Sequence, residues 1–510
     1  MFDGDHPDDP APSHTLAALQ AALLPATVPV LPGLELGAAY RMADTGDAVG
    51  GDWFDTVVMP GGHVGLVVGD VVGNGIIGSA VMSQLRAVAR QRLASGAAAA
   101  EVVTDLDRVA RGLPGAGCAT VCVATLDRYA GELLYCCAGH PPPLVVTSDG
   151  SSHHYLPLSG ASPLATGATY RDTAARLGMD DLVLLYTDGV IQRPGRHPAR
   201  AAAELAEVVA DVASGRLLGT GGRDPRLLTQ HVCDTAIDVL GRSTGWRDDV
   251  MLLAARRRPV VGRMELTLPN QPMAVPTARA ALESWLVALT IDPLVVSAVQ
   301  HAVGEVVTNA VQHAYPRGSD NSCTVALSAE LTQEGVVEVE VVDRGRWREN
   351  SGSPYRGMGL EVAAEMVDDI YIDRAKGGTT VALRHNVSHP ITVLTPPLTG
   401  ALSGDRPFIA ALTDVEDPDA VLVIHGTVDA MTAPQLRIQL RAVTCNGTRT
   451  CAVDLTRVTI LTSAGVSVLH EATDRSAAQN EQLLLFAAPD STAFHVLAMS
   501  GLPAVSEYPA

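Results

Sequence analysis

Aromatic residues make up only 4% of this 510-residue chain, and its 36 basic side chains are outnumbered by 56 acidic ones, a net charge of −20. Nucleic-acid surfaces are built from clustered Lys and Arg, often interleaved with aromatic platforms. Neither feature is present, so nucleic acid is not an expected partner. The one basic run, Arg256-Arg257-Arg258, falls at a domain junction and reads as a solvated linker. No uninterrupted apolar run reaches the ~18 residues of a membrane helix, so no membrane span is expected. The acidic N-terminus, MFDGDHPDDP, has no apolar core and does not read as a secretory signal. Eight cysteines (Cys118, Cys122, Cys136, Cys137, Cys233, Cys323, Cys445 and Cys451) form no CxxC pair. In a chain this long they read as buried reduced thiols, which points to the cytoplasm.

The chain is too long for one hydrophobic core, and about three domains are expected. Residues 1–24 read as a disordered leader with a short helix. Residues 25–256 mix β-rich segments such as HVGLVVGDVV, ATVCVATLD and DLVLLYTDGV with helical stretches, which suggests an α/β sandwich. Residues 257–392 hold a long helix, LVVSAVQHAVGEVVTNAVQHA, and the strand candidates RMELTLP, CTVALSAELT, VVEVEVVD and TTVALRH. Residues 393–407, rich in Pro and Gly, read as a linker, and 408–510 alternate strand and helix as a small α/β domain. The expected whole is a multidomain α/β and α+β protein.

Four acidic motifs stand out in the first domain: GGDWFD at 50–55, GDVVGNG at 69–75, YTDG at 186–189 and RDDV at 247–250. Singly, each reads as a turn, because Asp and Gly dominate turns. Together, beside apolar strands, they can converge on hard divalent ions that want oxygen ligands and can clamp a phosphoryl group. The ordered series GGDWFD, GDVVGNG, AGHPPPLV, YTDGV, DDVMLL resembles the SpoIIE/RsbU branch of the metal-dependent serine/threonine phosphatases. The resemblance implies two Mn²⁺ or Mg²⁺ ions. Asp70 would bridge them with help from the Val71 carbonyl, Asp188 and Asp248 would complete the second site, and Asp52 would hold water of the metal shell. Asp70 and Asp188 would be catalytic. Asp249 stands where the family has a polar neighbour, Asn74 replaces a frequent His, and His140 reads as structural.

In the second domain Glu305 and Asn309 stand four apart and share one helix face. Asp343-Arg-Gly345 follows a strand, Gly357-Met-Gly359 opens a helix, and Gly377-Gly378-Thr379-Thr380 begins a last strand. This succession resembles the GHKL ATPase fold of the RsbW/SpoIIAB anti-sigma serine kinases. It implies ATP with Mg²⁺ bound by Asn309, Glu305 as catalytic base, Asp343 reading adenine, Gly345 and Thr379 also binding the nucleotide, and Gly357 and Gly359 around the phosphates. Trp347 stands where a second glycine often follows DxG, and the kinase relatives imply a homodimer through this domain.

In the third domain Ser463 falls where a helix should begin, a favoured N-cap position. The region resembles the STAS domain of anti-sigma factor antagonists, whose acceptor loop reads D-S-[ST]-G. Here it reads Thr462-Ser463-Ala464-Gly465, which makes Ser463 the expected phosphoacceptor and Thr462 its rival. Taken together, the resemblances imply a partner-switching regulator of a sigma factor, with the antagonist in cis or in trans. The alternatives are a scaffold with a decayed kinase, a metal-dependent phosphatase of unrelated phosphoproteins, and a nucleotide or phosphodiester hydrolase built on the same carboxylates.

Overall fold

The computed structural model describes residues 23–43, 51–71, 76–159, 162–217, 227–242, 244–246, 248–315, 323–345, 358–375, 377–394, 409–412, 421–428, 432–444, 450–478, 481–489, 491–502 and 504–505. The expected leader through residue 22, Asn74, Trp347, Gly357 and linker residues 395–407 lie outside them. The chain divides into two compact units, 1–43 with 47–395, and 44–46 with 396–510.

The first unit opens with two stacked sheets. One runs, in order, Trp53–Val58, His63–Asp70, Thr120–Asp127, Glu132–Ala138 and Thr173–Arg176, all antiparallel. The other runs Thr392–Leu394, Leu34–Arg41, Val250–Arg257, Leu182–Tyr186, Leu144–Val146 and His153–Tyr155. Central strands such as His63–Asp70 and Thr120–Asp127 are buried almost end to end. Continuous apolar runs of this kind are what a sheet covered on both faces requires. Phe54, Leu66, Val68, Leu126, Leu185 and Leu253 fill the space between the sheets. Helices Ile76–Ala94 and Ala99–Ala110 cover one outer face, and Pro198–Ala213 and Leu228–Gly241 the other. Each fully buried Leu, Val or Phe contributes roughly 1.5–3 kcal/mol of transfer free energy. The expected α/β sandwich is present.

A five-stranded antiparallel sheet follows, in the order Met264–Pro269, Thr324–Leu331, Val336–Asp343, Gly378–Asn386 and Asp369–Ala375. Here burial alternates along most strands, as in Val336–Asp343, because helices pack against one face of the sheet. Helix Pro293–Asn309 begins at Asp292, whose carboxylate accepts from the Leu294 amide at 2.8 Å, with Pro at the first helical position. Such a cap contributes about 1 kcal/mol. The apolar stretch Pro293–Gln312 is long and apolar enough to cross a membrane by length and composition. In this fold Val296, Val299, Val303, Val306 and Val307 instead bury it in the domain core. Strand Asp369–Ala375 was not foreseen. It lies at an exposed sheet edge, so its charged sequence carries no apolar alternation of the buried kind.

The segment after this sheet departs from the expected boundaries. Ser388–Pro390 pairs antiparallel with Thr27–Pro29, and Thr392–Leu394 joins the second sheet of the first domain parallel to Leu34–Arg41. The boundary expected between residues 392 and 393 therefore falls inside a strand. The Pro- and Gly-rich composition of 393–407 suggested a linker, but its first two residues, Val393 and Leu394, pair within the sheet.

In the second unit Val421–Val428, Cys451–Leu461, Leu483–Phe486 and Ala504–Val505 form a parallel sheet, with Ile409–Leu412 antiparallel at its edge. Helices Ala433–Val443, Ser463–Ala478 and Thr492–Met499 connect and cover it, around a core of Leu422, Ile424, Leu436, Val453, Leu469 and Leu497.

Candidate functional site

Four strand ends deliver carboxylates to one place. Asp52 precedes Trp53–Val58, Asp70 closes His63–Asp70, Asp188 follows Leu182–Tyr186, and Asp248 and Asp249 precede Val250–Arg257. Glycines let these ends approach. A Cβ on Gly51 would overlap the Val71 carbonyl, and one on Gly189 would overlap the Asp249 carbonyl. The Val71 amide donates to the Gly51 carbonyl at 3.3 Å, which ties the first two motifs together.

The charges there feel one another. Asp70 is pushed up to about 7, first by burial and then by Asp188 and Asp248, with a hydrogen bond to Asp52 opposing the shift. Asp52, 3% exposed, is raised by burial and by Asp70 and Asp249. Asp188 is raised by burial and by Asp248. Among the described residues no Lys or Arg pairs with Asp52, Asp70, Asp188 or Asp248, although Asp55, a short step along its strand, is met by Arg86 and Arg90. Among the described residues no three His, Cys, Asp or Glu side chains stand close enough to form a finished ion cage. The arrangement is a convergence of negative charge.

Two side chains that the motifs did not single out hold this cluster. The Thr187 hydroxyl donates to Asp52 Oδ2 at 2.7 Å while its oxygen accepts from the Met251 amide at 2.9 Å. The Tyr40 hydroxyl donates to Asp249 Oδ2, and the Ala43 amide donates to Asp249 Oδ1 at 2.8 Å. Thr187 was visible in the sequence as the neighbour of Asp188. Tyr40 lies 209 positions from its partner and carried no local signal.

His140 is buried, with Nδ1 2.8 Å from the Thr120 hydroxyl and Nε2 3.1 Å from the Tyr186 carbonyl. A carbonyl only accepts, so Nε2 carries the proton and Nδ1 accepts from Thr120. Burial pushes its pKa down to about 4. Both nitrogens are committed to bridging the two sheets, in keeping with a structural role. Beside Asp188, Pro141, Pro142, Tyr155, Leu158 and Ile191 line an open apolar cleft. The seven described cysteines are free thiols, and Cys445 lies outside the described residues.

In the second domain Asp343 is buried at the end of its strand, opposite Thr379 in the register. Its Oδ1 accepts from the Gly345 amide at 2.9 Å. Burial raises its pKa, against hydrogen bonds from Gly345 and from the Thr379 amide and hydroxyl. A Cβ on Gly345 would overlap the Ala314 carbonyl, so only glycine fits there. Glu305 and Asn309 are half-buried one turn apart, and among the described residues neither side chain has a polar partner. Directly after Asn309 the helix widens into a π-turn, Ala310–Ala314, a feature frequent at functional sites. Gly359 is the second residue of helix Met358–Met366, while Gly357 lies outside the described residues.

In the third domain the Val466 amide donates to the Thr462 carbonyl at 3.0 Å, so Thr462, not Ser463, is the capping residue. Ser463 is the first residue of helix Ser463–Ala478, and its side chain lies outside the described residues. Thr462 is itself tied down, its amide donating to the Val428 carbonyl at 2.9 Å and its hydroxyl at 3.3 Å.

Comparison with known proteins assigns the three regions. Residues 60–258 match the family described as stage II sporulation protein E, 268–385 the histidine kinase-like ATPase domain, and 412–505 the Mlab, STAS domain. The crystal structure of the RsbU and RsbW domains of Rv1364c from Mycobacterium tuberculosis is 38% identical with a TM-score of 0.65, covering 73% of this chain and 98% of that one. The chain belongs to this RsbU–RsbW fusion family. A STAS domain follows the RsbU-like and RsbW-like domains. Protein IcfG of Synechocystis sp. is 21% identical over 200 residues, 34% of this chain and 31% of that protein. The match thus spans about a third of the length of that curated relative. The phosphatase domain of SpoIIE from Bacillus subtilis is a remote likeness, 16% identical at a TM-score of 0.37, covering 45% of this chain and 64% of that one.

Proposed function

We propose that this RsbU–RsbW–STAS chain is a partner-switching regulator that removes phosphate from, and adds it to, a serine of a STAS antagonist, and that Ser463 is such a serine. The observation that carries the reading is the meeting of Asp52, Asp70, Asp188 and Asp248 from four strand ends with, among the described residues, no Lys or Arg paired to them. A donor set of carboxylate and carbonyl oxygens suits Mg²⁺ or Mn²⁺ rather than a softer ion. Asp70 with the Val71 carbonyl, Asp188 and Asp248 would hold two ions. Bound there, such ions polarise a phosphoryl group and supply a nucleophile at neutral pH. Asp70 and Asp188 are the catalytic carboxylates of this reading. Asp52, fixed by Thr187, orients water, and the apolar cleft beside Asp188 receives residues flanking the phosphoserine.

The RsbW-like domain binds ATP in this reading. Asp343, steadied by Gly345 and Thr379, accepts from the adenine amino group, and Asn309 holds Mg²⁺. Gly357 and Gly359 offer backbone N–H groups to the phosphates, and Glu305 takes the proton of the attacking serine. The unphosphorylated antagonist and a sigma factor compete for this domain, which acts as a homodimer in the cytoplasm.

Phosphate release from a phosphoserine peptide copying residues 456–470 tests the phosphatase half. The full-length protein should turn it over with Mn²⁺ and stop in chelator, and Asp188→Asn should lower the rate at least ~100-fold, as loss of a metal ligand does. Near-normal turnover by Asp188→Asn contradicts the assignment.

A further inference from the structure

Residues 386–411 fall between the family matches, which end at 385 and resume at 412. Thr392–Leu394 in that stretch forms the outer strand of the phosphatase sheet, with Thr392, Val393 and Leu394 opposite Ala39, Tyr40 and Arg41. The Leu394 carbonyl accepts from the Met42 amide at 3.1 Å. The next residue, Ala43, donates its amide to Asp249, and Tyr40 donates its hydroxyl to the same carboxylate. Thr392 is held from the other side, its Oγ1 2.9 Å from Gln230 Nε2. Gln230 also pairs with the Ala38 amide at 3.2 Å and carbonyl at 3.1 Å, so the edge is closed just before the added strand begins.

We propose that Leu394 and the strand it ends are a positioning element for the phosphatase site: a segment lying beyond the RsbW-like domain fixes the 40–43 stretch that orients Asp249 in the carboxylate cluster. Without the strand, the backbone groups of residues 39–42 that point away from Val250–Arg257 would face water, and the stretch would loosen on that side. Tyr40 and Ala43, two donors to Asp249, lie on that stretch. A carboxylate free to swing raises the reorganisation needed to gather ions, and loss of such outer support costs metal sites about 10–100-fold in affinity. The phosphatase site is thereby made dependent on chain that follows the ATPase-like domain in sequence. The inference rests on the metal-dependent phosphatase reading above.

The test uses the full-length protein and Leu394→Pro. Because the Leu394 carbonyl faces Leu34–Arg41, its N–H faces the same way, and proline removes that donor. Val393→Thr, at a partly exposed side chain on the same strand, is the control. Mn²⁺ affinity is read by titration calorimetry, amide exchange over residues 38–43 by mass spectrometry, and ATP binding with a fluorescent analogue. Leu394→Pro should weaken Mn²⁺ binding about tenfold, speed exchange at Met42 and Ala43, and leave ATP binding and the peptide KM within twofold. Val393→Thr should match wild type throughout. Combined with Tyr40→Phe, the loss should be less than additive, because both act through Asp249. Faster exchange with unchanged Mn²⁺ affinity overturns the proposal, as does equal loss of ATP binding, which would mark general unfolding. Wild-type protein that neither binds Mn²⁺ nor releases phosphate refutes the phosphatase reading instead.

Discussion

A carboxylate buried beside other carboxylates opposes folding, and at Asp70 the opposition has a sign and a window. Its folded pKa, about 7, lies above the usual carboxylate value. The folded state therefore holds a proton that the unfolded state releases, and stability falls as pH rises from about 4 through 7. Asp70→Asn removes that charge. The metal-free variant should melt a few degrees above wild type at pH 8, on the order of 1 kcal/mol, while its phosphatase activity is lost. Added Mn²⁺ should raise the melting temperature of wild type through binding to the folded form and leave Asp70→Asn almost unmoved. Equal stabilisation of both by Mn²⁺ would place the ions elsewhere. At this scale the motifs of Asp52, Asp70 and Asp188 were legible because each of these carboxylates sits beside a glycine, and Gly51 and Gly189 allow close approach. Tyr40 was not, since its hydrogen bond exists only once two distant strands are neighbours.

Among elements, the joining strands behave differently from the sheets they join. His389, between Ser388 and Pro390 and opposite Val28, is 4% exposed and its pKa is pushed down to about 4 by burial, with Asp292 opposing. The unfolded chain takes up a proton below about 6.5 that the folded chain refuses until about 4. Stability therefore falls as pH drops through that window, by up to about 1.4 kcal/mol per unit. His389→Gln should flatten the fall: the melting-temperature gap between variant and wild type should shift in the variant's favour from pH 7 to pH 5. A constant gap would mean that His389 is protonated in the folded protein. The sequence marked the chain from 393 onward as linker because it is rich in Pro and Gly. Pairing with strands more than 340 positions earlier in the chain, as in Thr27 opposite Pro390, leaves no periodic trace. The helix around Glu305 was legible because Val299, Ala302, Val303 and Val306 recur at helical spacing and fill the core. Its π-turn was not, since a one-residue widening does not disturb that pattern. On this helix Glu305→Ala should abolish phosphotransfer and keep ATP affinity, whereas Asn309→Ala should also lose Mg²⁺-dependent ATP binding. Equal affinity losses in calorimetry would contradict separate roles.

For the whole molecule, three domains and their order were readable because each carries its own core and its own ordered motifs. The boundaries were less readable, because the first two domains share strands while the sequence pattern treats them as separate. The chain carries SpoIIE-type phosphatase, kinase-like ATPase and STAS domains, a set that fits a partner-switching regulator. A phosphate on Ser463, in the first turn of its helix, is tolerated by the free N–H groups there, and adds roughly −1.5 to −2 charge to any docking face. Site-resolved mass spectrometry of Ser463 tests the account most directly. Asp70→Asn protein incubated with ATP and Mg²⁺ should accumulate a single phosphate on Ser463, and wild-type protein added with Mn²⁺ should remove it. Phosphate on another residue, an unmodified Ser463, or a Ser463 phosphate that survives wild type and Mn²⁺ would contradict it.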